Sequence, residues 1–153
     1  MQRIDVSEGN SNYLSCGGVL FDKSKSILIK YPEGKKDLSY IISDGVTNIG
    51  FHAFACCKSL QRITIPDGVT SIGDRTFLCC YKLKSIKIPD SVISIGNDAF
   101  YNCLSLESIT IPDSVTSMGC NAFDGCANVT ICAPSGSYAI VYAKDNGIKC
   151  KEI

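Results

Sequence analysis

Ten cysteines and one histidine are the residues of this 153-residue chain whose types could support nucleophilic, redox or metal chemistry. A cysteine nucleophile needs an imidazole base and a third group that orients it, and His52 is the only imidazole. Equivalent positions later in the chain hold Arg75, Asp98 and Asn121, which predicts a solvated surface side chain. The Gly-x-Ser-x-Gly, Walker and Gly-x-Gly-x-x-Gly motifs are also absent. We therefore predict that the chain is not an enzyme.

Zinc coordination requires ligands that converge with tetrahedral geometry, usually from Cys-x₂₋₄-Cys pairs or histidines. The chain contains no Cys-x-x-Cys pair. The doublets Cys56-Cys57 and Cys79-Cys80 would supply four thiolates, but side chains of adjacent residues diverge. We expect neither a metal nor a cofactor.

The elements that position these side chains follow a 23-residue repeat, with copies that begin at Ile42, Ile65, Ile88 and Ile111. Each column of the aligned copies carries one kind of residue, as stacked equivalent positions require. The predicted core columns are Val46, Val69, Val92 and Val115; Ile49, Ile72, Ile95 and Met118; Phe54, Phe77, Phe100 and Phe123; and Leu60, Leu83, Leu106 and Val129.

Each coil is predicted to contain one parallel strand, because the spacing Leu60-x-x-Ile63-x-Ile65 alternates apolar and polar side chains. The prolines that follow these strands lack an N–H and should end them. The column Gly50, Gly73, Gly96 and Gly119 suits a tight turn with positive φ, and Ala-Phe-x-x-Cys suits a 3₁₀ or single-turn segment.

The predicted fold is mostly β: a right-handed leucine-rich-repeat solenoid with a parallel sheet and short 3₁₀ or helical turns. A single coil cannot bury its apolar side alone, so the stack needs caps. Residues 18–32 predict an N-terminal β-hairpin cap, and residues 137–153 predict a C-terminal helix and strand. We expect one domain with a cap at 1–41, four repeats at 42–132 and a cap at 133–153.

The repeat resembles the BspA-like, or Treponema pallidum-type, leucine-rich repeats. The shared pattern, L-x-x-I-x-I-P-x-x-V-x-x-I-G-x-x-A-F-x-x-C, occurs from Leu60 to Cys80 and from Leu83 to Cys103, and with Met118 for Ile from Leu106 to Cys126. The resemblance implies a binding module of surface or secreted bacterial or protozoan proteins, with adhesion as a common role. The N-terminus has no apolar signal region, so we expect any secretion signal to have been removed or to belong to a longer parent chain.

The cysteines are predicted to be mainly structural. Cys57, Cys80, Cys103 and Cys126 recur at the repeat period, match the consensus cysteine of the family and should be buried free thiols. Two disulfides remain candidates. Cys56 and Cys79 share a register and would be neighbours, while Cys132 and Cys150 would meet if their strands are adjacent.

The outward side chains of the strands are predicted to form a protein-binding face: Ser39, Ile41, Arg62, Thr64, Ser85, Lys87, Ser108, Thr110, Asn128 and Thr130. With 15 basic and 15 acidic residues the chain has no net charge, which disfavours nucleic acid. No apolar run is long enough to insert into a membrane. We expect a host or cell-surface protein as partner, and the open ends of the stack would also allow self-association.

Two other functions remain open. The chain could be a structural spacer within a larger protein, in which case alanine at Arg62 and Lys87 would leave partner binding intact. It could also be a thiol-rich protein that responds to oxidants or metals. Zinc or an oxidant would then shift its melting temperature, and mutation of Cys56 and Cys79 would abolish the shift.

Overall fold

The computed structural model describes all 153 residues of the chain as a stack of β-coils with one helix. The elements are β1 (Tyr13–Cys16), β2 (Val19–Asp22), β3 (Ile27–Lys30), β4 (Ser39–Ile41), β5 (Asn48–Ile49), β6 (Arg62–Thr64), β7 (Ser71–Ile72), β8 (Ser85–Lys87), β9 (Ser94–Ile95), β10 (Ser108–Thr110), β11 (Ser117–Met118), β12 (Thr130–Ala133), α1 (Tyr138–Asp145) and β13 (Lys149–Glu152).

Two sheets line the stack. Sheet A has the order β1-β2-β3-β5-β7-β9-β11, and sheet B has the order β13-β12-β10-β8-β6-β4. The mostly β solenoid is confirmed, but the expectation of one strand per coil is wrong, because each coil adds a strand to both sheets. The strands of sheet A within the coils are only two residues long, too short to leave a period-two pattern in the sequence.

Sheet B is parallel and pairs equivalent residues of successive coils. Ile63 aligns with Ile86, and Ile86 with Ile109, so the apolar side chains point inward in register. The step from β10 to β12 is one residue shorter, because Ile109 aligns with Ile131. Strand polarity and side-chain direction are therefore the same along the whole sheet.

The prolines end the strands of sheet B as predicted. The carbonyl of Pro66 accepts a hydrogen bond from the N–H of Val69 at 3.2 Å, and Pro89 and Pro112 do the same for Val92 and Val115 at 3.1 and 3.2 Å. The chain thus turns immediately after the strand and enters sheet A.

The segment that carries Phe54 and its equivalents is a succession of turns rather than a regular helix. N–H groups at alternate positions donate to the next coil: His52 to Asp74 at 3.5 Å, Phe54 to Thr76 at 2.9 Å and Cys56 to Leu78 at 2.8 Å. Positive φ occurs at His52 and Cys56 and at their equivalents, not in the glycine column as expected. Gly96 is needed instead because a Cβ there would clash with Asp74, at 2.6 Å from its main-chain nitrogen.

The phenylalanine column forms an aromatic stack through the core. Neighbouring ring centroids of Phe54, Phe77, Phe100 and Phe123 lie 5.1 to 5.4 Å apart. Tyrosines close the stack at both ends: Tyr31 stacks on Phe54 at 5.3 Å, and Tyr142 meets Phe123 edge-on at 6.5 Å. Their hydroxyls find acceptors at the rim of the core, since Tyr31 donates to Asp37 and Tyr142 to the carbonyl of Gly119.

Both predicted caps are present. The N-terminal hairpin of β2 and β3 gains β1 as a third antiparallel strand, and β3 pairs in parallel with β5. At the other end α1 stops before Gly147, which has φ of 66°, and β13 pairs with β12. β4 belongs to sheet B although residues 1–41 were assigned to the N-terminal cap; the division at 41 and 132 remains a prediction.

Candidate functional site

The outward side chains of sheet B form one continuous surface, here called the outer face. Each of its six strands contributes two residues; nine of the twelve are exposed, and Thr110, Thr130 and Cys132 are half-buried. They are Ser39 and Ile41, Arg62 and Thr64, Ser85 and Lys87, Ser108 and Thr110, Thr130 and Cys132, and Lys149 and Lys151. Nine of the ten residues predicted for the binding face lie on this surface, and Asn128 is the exception.

The outer face contains residues that were not expected there. Thr130 pairs with Ser108, so the second outward residue of β12 is Cys132, and Asn128 precedes the strand. Lys149 and Lys151 extend the surface by one strand, because they pair with Thr130 and Cys132. The alternation Lys-Cys-Lys at 149–151 was the sequence signal for this extension.

No side chain of the outer face makes a hydrogen bond or ion pair within the chain. The four ion pairs of the molecule lie outside the outer face. They are Arg3–Asp5, Lys35–Asp37, Arg75–Asp98 and Lys144–Glu152. Arg62, Lys87, Lys149 and Lys151 therefore present free cationic groups, with hydroxyls between them and no carboxylate on the surface itself.

An acidic border runs along the ends of the sheet B strands. It consists of exposed aspartates at the repeat period: Asp44, Asp67, Asp90 and Asp113. A groove of about 600 Å³ lies beside it, with Pro66 and Pro89 among its lining residues and Lys87 on the side of the outer face. The surface around the outer face is thus divided into a cationic, hydroxyl-rich strip and a carboxylate strip.

The predicted thiol column lies in the core. Cys57, Cys80, Cys103 and Cys126 are buried, and three of them donate to a phenylalanine carbonyl of the preceding coil. The Sγ···O distances are 3.0 Å for Cys80 to Phe54, 3.2 Å for Cys103 to Phe77 and 3.0 Å for Cys126 to Phe100. The neighbouring thiol of Cys126 and burial both raise the pKa of Cys103. The pKa of Cys57 is also raised, by the thiol of Cys80 and by burial, so Cys57 and Cys103 stay protonated and are poor nucleophiles.

The candidate disulfide partners are free thiols in the structure. Cys56 and Cys79 are half-buried at equivalent positions of adjacent coils, and burial raises the pKa of Cys56. Cys150 pairs with Ile131, whereas Cys132 pairs with Lys151. Because side chains alternate along a strand, Cys132 lies on the outer face and Cys150 on the opposite side, so this register argues against a bridge between them.

His52 is not the solvated side chain that was expected. It is half-buried, its ring lies 4.0 Å from the ring of Phe51, and its Nε2 atom is buried without a hydrogen-bond partner. Burial lowers its pKa, and the positive charges of Arg75 and Lys30 act in the same direction. The turn fixes the main chain of His52, which has a φ of 57° and donates its N–H to the carbonyl of Asp74. The place of His52 is therefore set by the turn.

No set of three or more His, Cys, Asp or Glu side chains is arranged to hold a metal ion. The structure has one helix, α1, of eight residues. No helix in it is long and apolar enough to cross a bilayer.

The stacked 23-residue coils, the parallel sheet and the capped aromatic core define a leucine-rich-repeat solenoid. The family model described as the BspA type leucine rich repeat region matches residues 33–141 in six copies, and the chain belongs to this family. Leucine-rich-repeat proteins of this kind generally serve as protein-interaction modules.

Solved structures of bacterial leucine-rich-repeat proteins are similar over most or all of the chain. A leucine-rich repeat protein from Eubacterium ventriosum is 28% identical with a TM-score of 0.79, covering 100% of this chain and 42% of its own. A leucine rich cell surface protein from Faecalibacterium prausnitzii is 32% identical with a TM-score of 0.64, covering 92% and 43%.

The leucine-rich-repeat protein of T. pallidum is 29% identical with a TM-score of 0.58, covering 69% of this chain and 62% of its own. The chain therefore spans less than two thirds of each of these proteins. No curated protein matches it.

Proposed function

We propose that the chain is an adhesion-type protein-binding module of a surface or secreted protein, and that the outer face of sheet B is its binding surface. The observation that carries the proposal is the set of free side chains on this face. Four cations and a series of hydroxyls are exposed without any partner in the chain. Polar groups of this kind are available for hydrogen bonds and ion pairs across an interface.

The partner is expected to be a protein of a host or of another cell. The cell-surface description of the similar Faecalibacterium prausnitzii protein supports a surface or secreted location. The outer face has no Trp, Tyr or Phe, the residue types that supply most hot spots besides Arg. A single module should therefore bind weakly, and repeated modules or several copies would supply the strength of adhesion.

Differential capture tests this function. The immobilised chain, an R62E/K87E variant and a K36E/K58E control are exposed to solubilised extracellular proteins, and the retained proteins are compared by mass spectrometry. The control makes the same charge change at exposed or half-exposed lysines outside the outer face. We expect one or more proteins to be retained by the chain and by the control but lost with R62E/K87E. Equal retention by all three would support the structural spacer instead.

A further inference from the structure

The two ends of sheet B differ in how they protect their main chain. Sheet B ends in the edge strands β4 and β13, and nothing in the chain pairs with the outer edge of either. An exposed edge strand can pair with another chain, and lysine is a common device that prevents this. β13 has this device at Lys149 and Lys151. β4 has no charged residue, so its edge lacks the protection.

β4 instead has exposed apolar side chains. Ile41 is 72% exposed, and Leu38, directly before the strand, is 61% exposed. At the position of Ile41 the next coils have Thr64, Lys87 and Thr110. At the position of Leu38 they have Gln61, Lys84 and Glu107. Both positions are therefore polar in β6, β8 and β10, which have neighbours on both sides, and apolar at the open edge of β4.

The hydrogen bonds show which main-chain groups of β4 are free. The carbonyl of Leu38 accepts from Arg62 at 3.2 Å, and the N–H of Ile42 donates to Thr64 at 3.0 Å. Since consecutive residues of a parallel strand face opposite neighbours, Tyr40 also faces β6, while Ser39 and Ile41 face outward. Neither Ser39 nor Ile41 takes part in any main-chain bond outside the strand ladder, so both present a free donor and a free acceptor.

We propose that the outer edge of β4 binds an extended segment of another polypeptide, which adds a strand to sheet B. Alternate donors and acceptors at the spacing of a strand match the main chain of a polypeptide and no other common ligand. The apolar side chains of Leu38 and Ile41 would pack against apolar side chains at alternate positions of that segment. The edge adjoins the outer face, to which Ile41 belongs, but its binding groups are the main chain of β4 and two apolar side chains rather than the cations that carry the proposed function.

A second copy of the chain fits this edge less well. Sheet A continues three strands beyond the coil of β4, as β3, β2 and β1. A second copy that paired its own β4 with this edge would have to bring these three strands up to the same end of the stack. The other free edge of a second copy, β13, has the protective lysines. A single extended strand of a different protein meets neither obstacle.

The test uses the full chain and a synthetic N-acetylated, C-amidated peptide of eight alternating valines and threonines at millimolar concentration. Amide hydrogen exchange is followed by NMR for the chain, for I41K and for I93K, a control with the same change at an exposed isoleucine outside sheet B. We expect the peptide to slow exchange at Ser39 and Ile41 in the chain. The I93K variant should keep the affinity, and I41K should lose at least about tenfold of it. A peptide N-methylated at alternate residues should not bind.

The absence of protection at Ser39 and Ile41, or an unchanged affinity of I41K, would overturn the proposal. Concentration-dependent self-association that I41K abolishes would overturn the assigned occupant, because a second copy would then cover the edge. The R62E/K87E variant should still bind the peptide. Failure of the outer-face capture experiment and failure of this one are therefore distinguishable.

Discussion

At the scale of single residues, the glycine column shows how a side chain in one coil can require glycine at a neighbouring position of the next coil. Asp74 Oδ1 accepts a hydrogen bond from the N–H of Asn97 at 2.8 Å, and Asn97 Oδ1 accepts from the N–H of Cys120 at 2.9 Å. These side chains cross the space in front of Gly96 and Gly119. Phe51 precedes Asp74 in this column and makes no such bond, so Gly73 has more room.

Gly96→Ala is expected to destabilise the chain, whereas Gly73→Ala should have a small effect. The new Cβ would lie 2.6 Å from the main-chain nitrogen of Asp74 at position 96, but 3.4 Å from the nearest atom at position 73. Overpacking of this kind costs about 1–3 kcal/mol. Urea unfolding of both variants measures the difference. Equal free energies of unfolding would show that the Asp74 bond does not require glycine.

The residues singled out for chemistry were predictable to different degrees. The burial of the thiol column followed from its period, because equivalent positions of stacked coils share an environment. The half-buried state of His52 did not, since its three equivalents are Arg75, Asp98 and Asn121, which are polar and indicate an exposed position. The ring of Phe51, on which His52 packs, has no equivalent in the later repeats and left no repeated signal.

At the scale of elements, the caps combine apolar rings with polar atoms at the rim of the core. In the N-terminal cap, Tyr40 packs against Tyr31 at 4.9 Å and against Phe54 at 6.0 Å. Burial raises the pKa of Tyr40 to about 12, and the charges of Cys16 and Asp37 add to the effect. The cap therefore favours the neutral phenol strongly.

The stability of the chain should fall as pH rises from about 10 to about 12, and Tyr40 should account for part of this fall. The pKa of Tyr40 is raised in the folded state, so below pH 10, the ordinary pKa of tyrosine, its contribution is fully present. Above pH 10 the unfolded chain loses the proton first, and folding becomes less favourable. Melting temperatures measured across this range should decline less steeply for Tyr40→Phe. An identical decline would contradict the assignment.

At the scale of the whole molecule, the stack behaves as a one-dimensional array in which each coil contacts only its neighbours. The aromatic column is the clearest example. Phe54 lies 5.4 Å from Phe77 but is separated from Phe123 by two further rings. Coupling between core positions should therefore decay within one coil.

A double-mutant cycle tests this decay. Phe54→Leu combined with Phe77→Leu should deviate from additivity by at least about 0.5 kcal/mol, because the two rings are in contact. Phe54→Leu combined with Phe123→Leu should be additive within about 0.5 kcal/mol. Free energies of unfolding in urea provide both values. Similar coupling energies for both pairs would contradict the decay of coupling within one coil.

The sequence by itself determined the coil period, the core columns, the strands of sheet B, the ends at the prolines and both caps. These features depend on which side chains are buried within one coil, and burial repeats every 23 residues. Only the tertiary structure decided the second sheet, the shorter step from β10 to β12 that turns Cys132 outward, the extension of the outer face to Lys149 and Lys151, and the unpaired edge of β4. These features depend on which strand lies beside which. Apolar periodicity records the direction of a side chain but not the identity of the neighbouring strand.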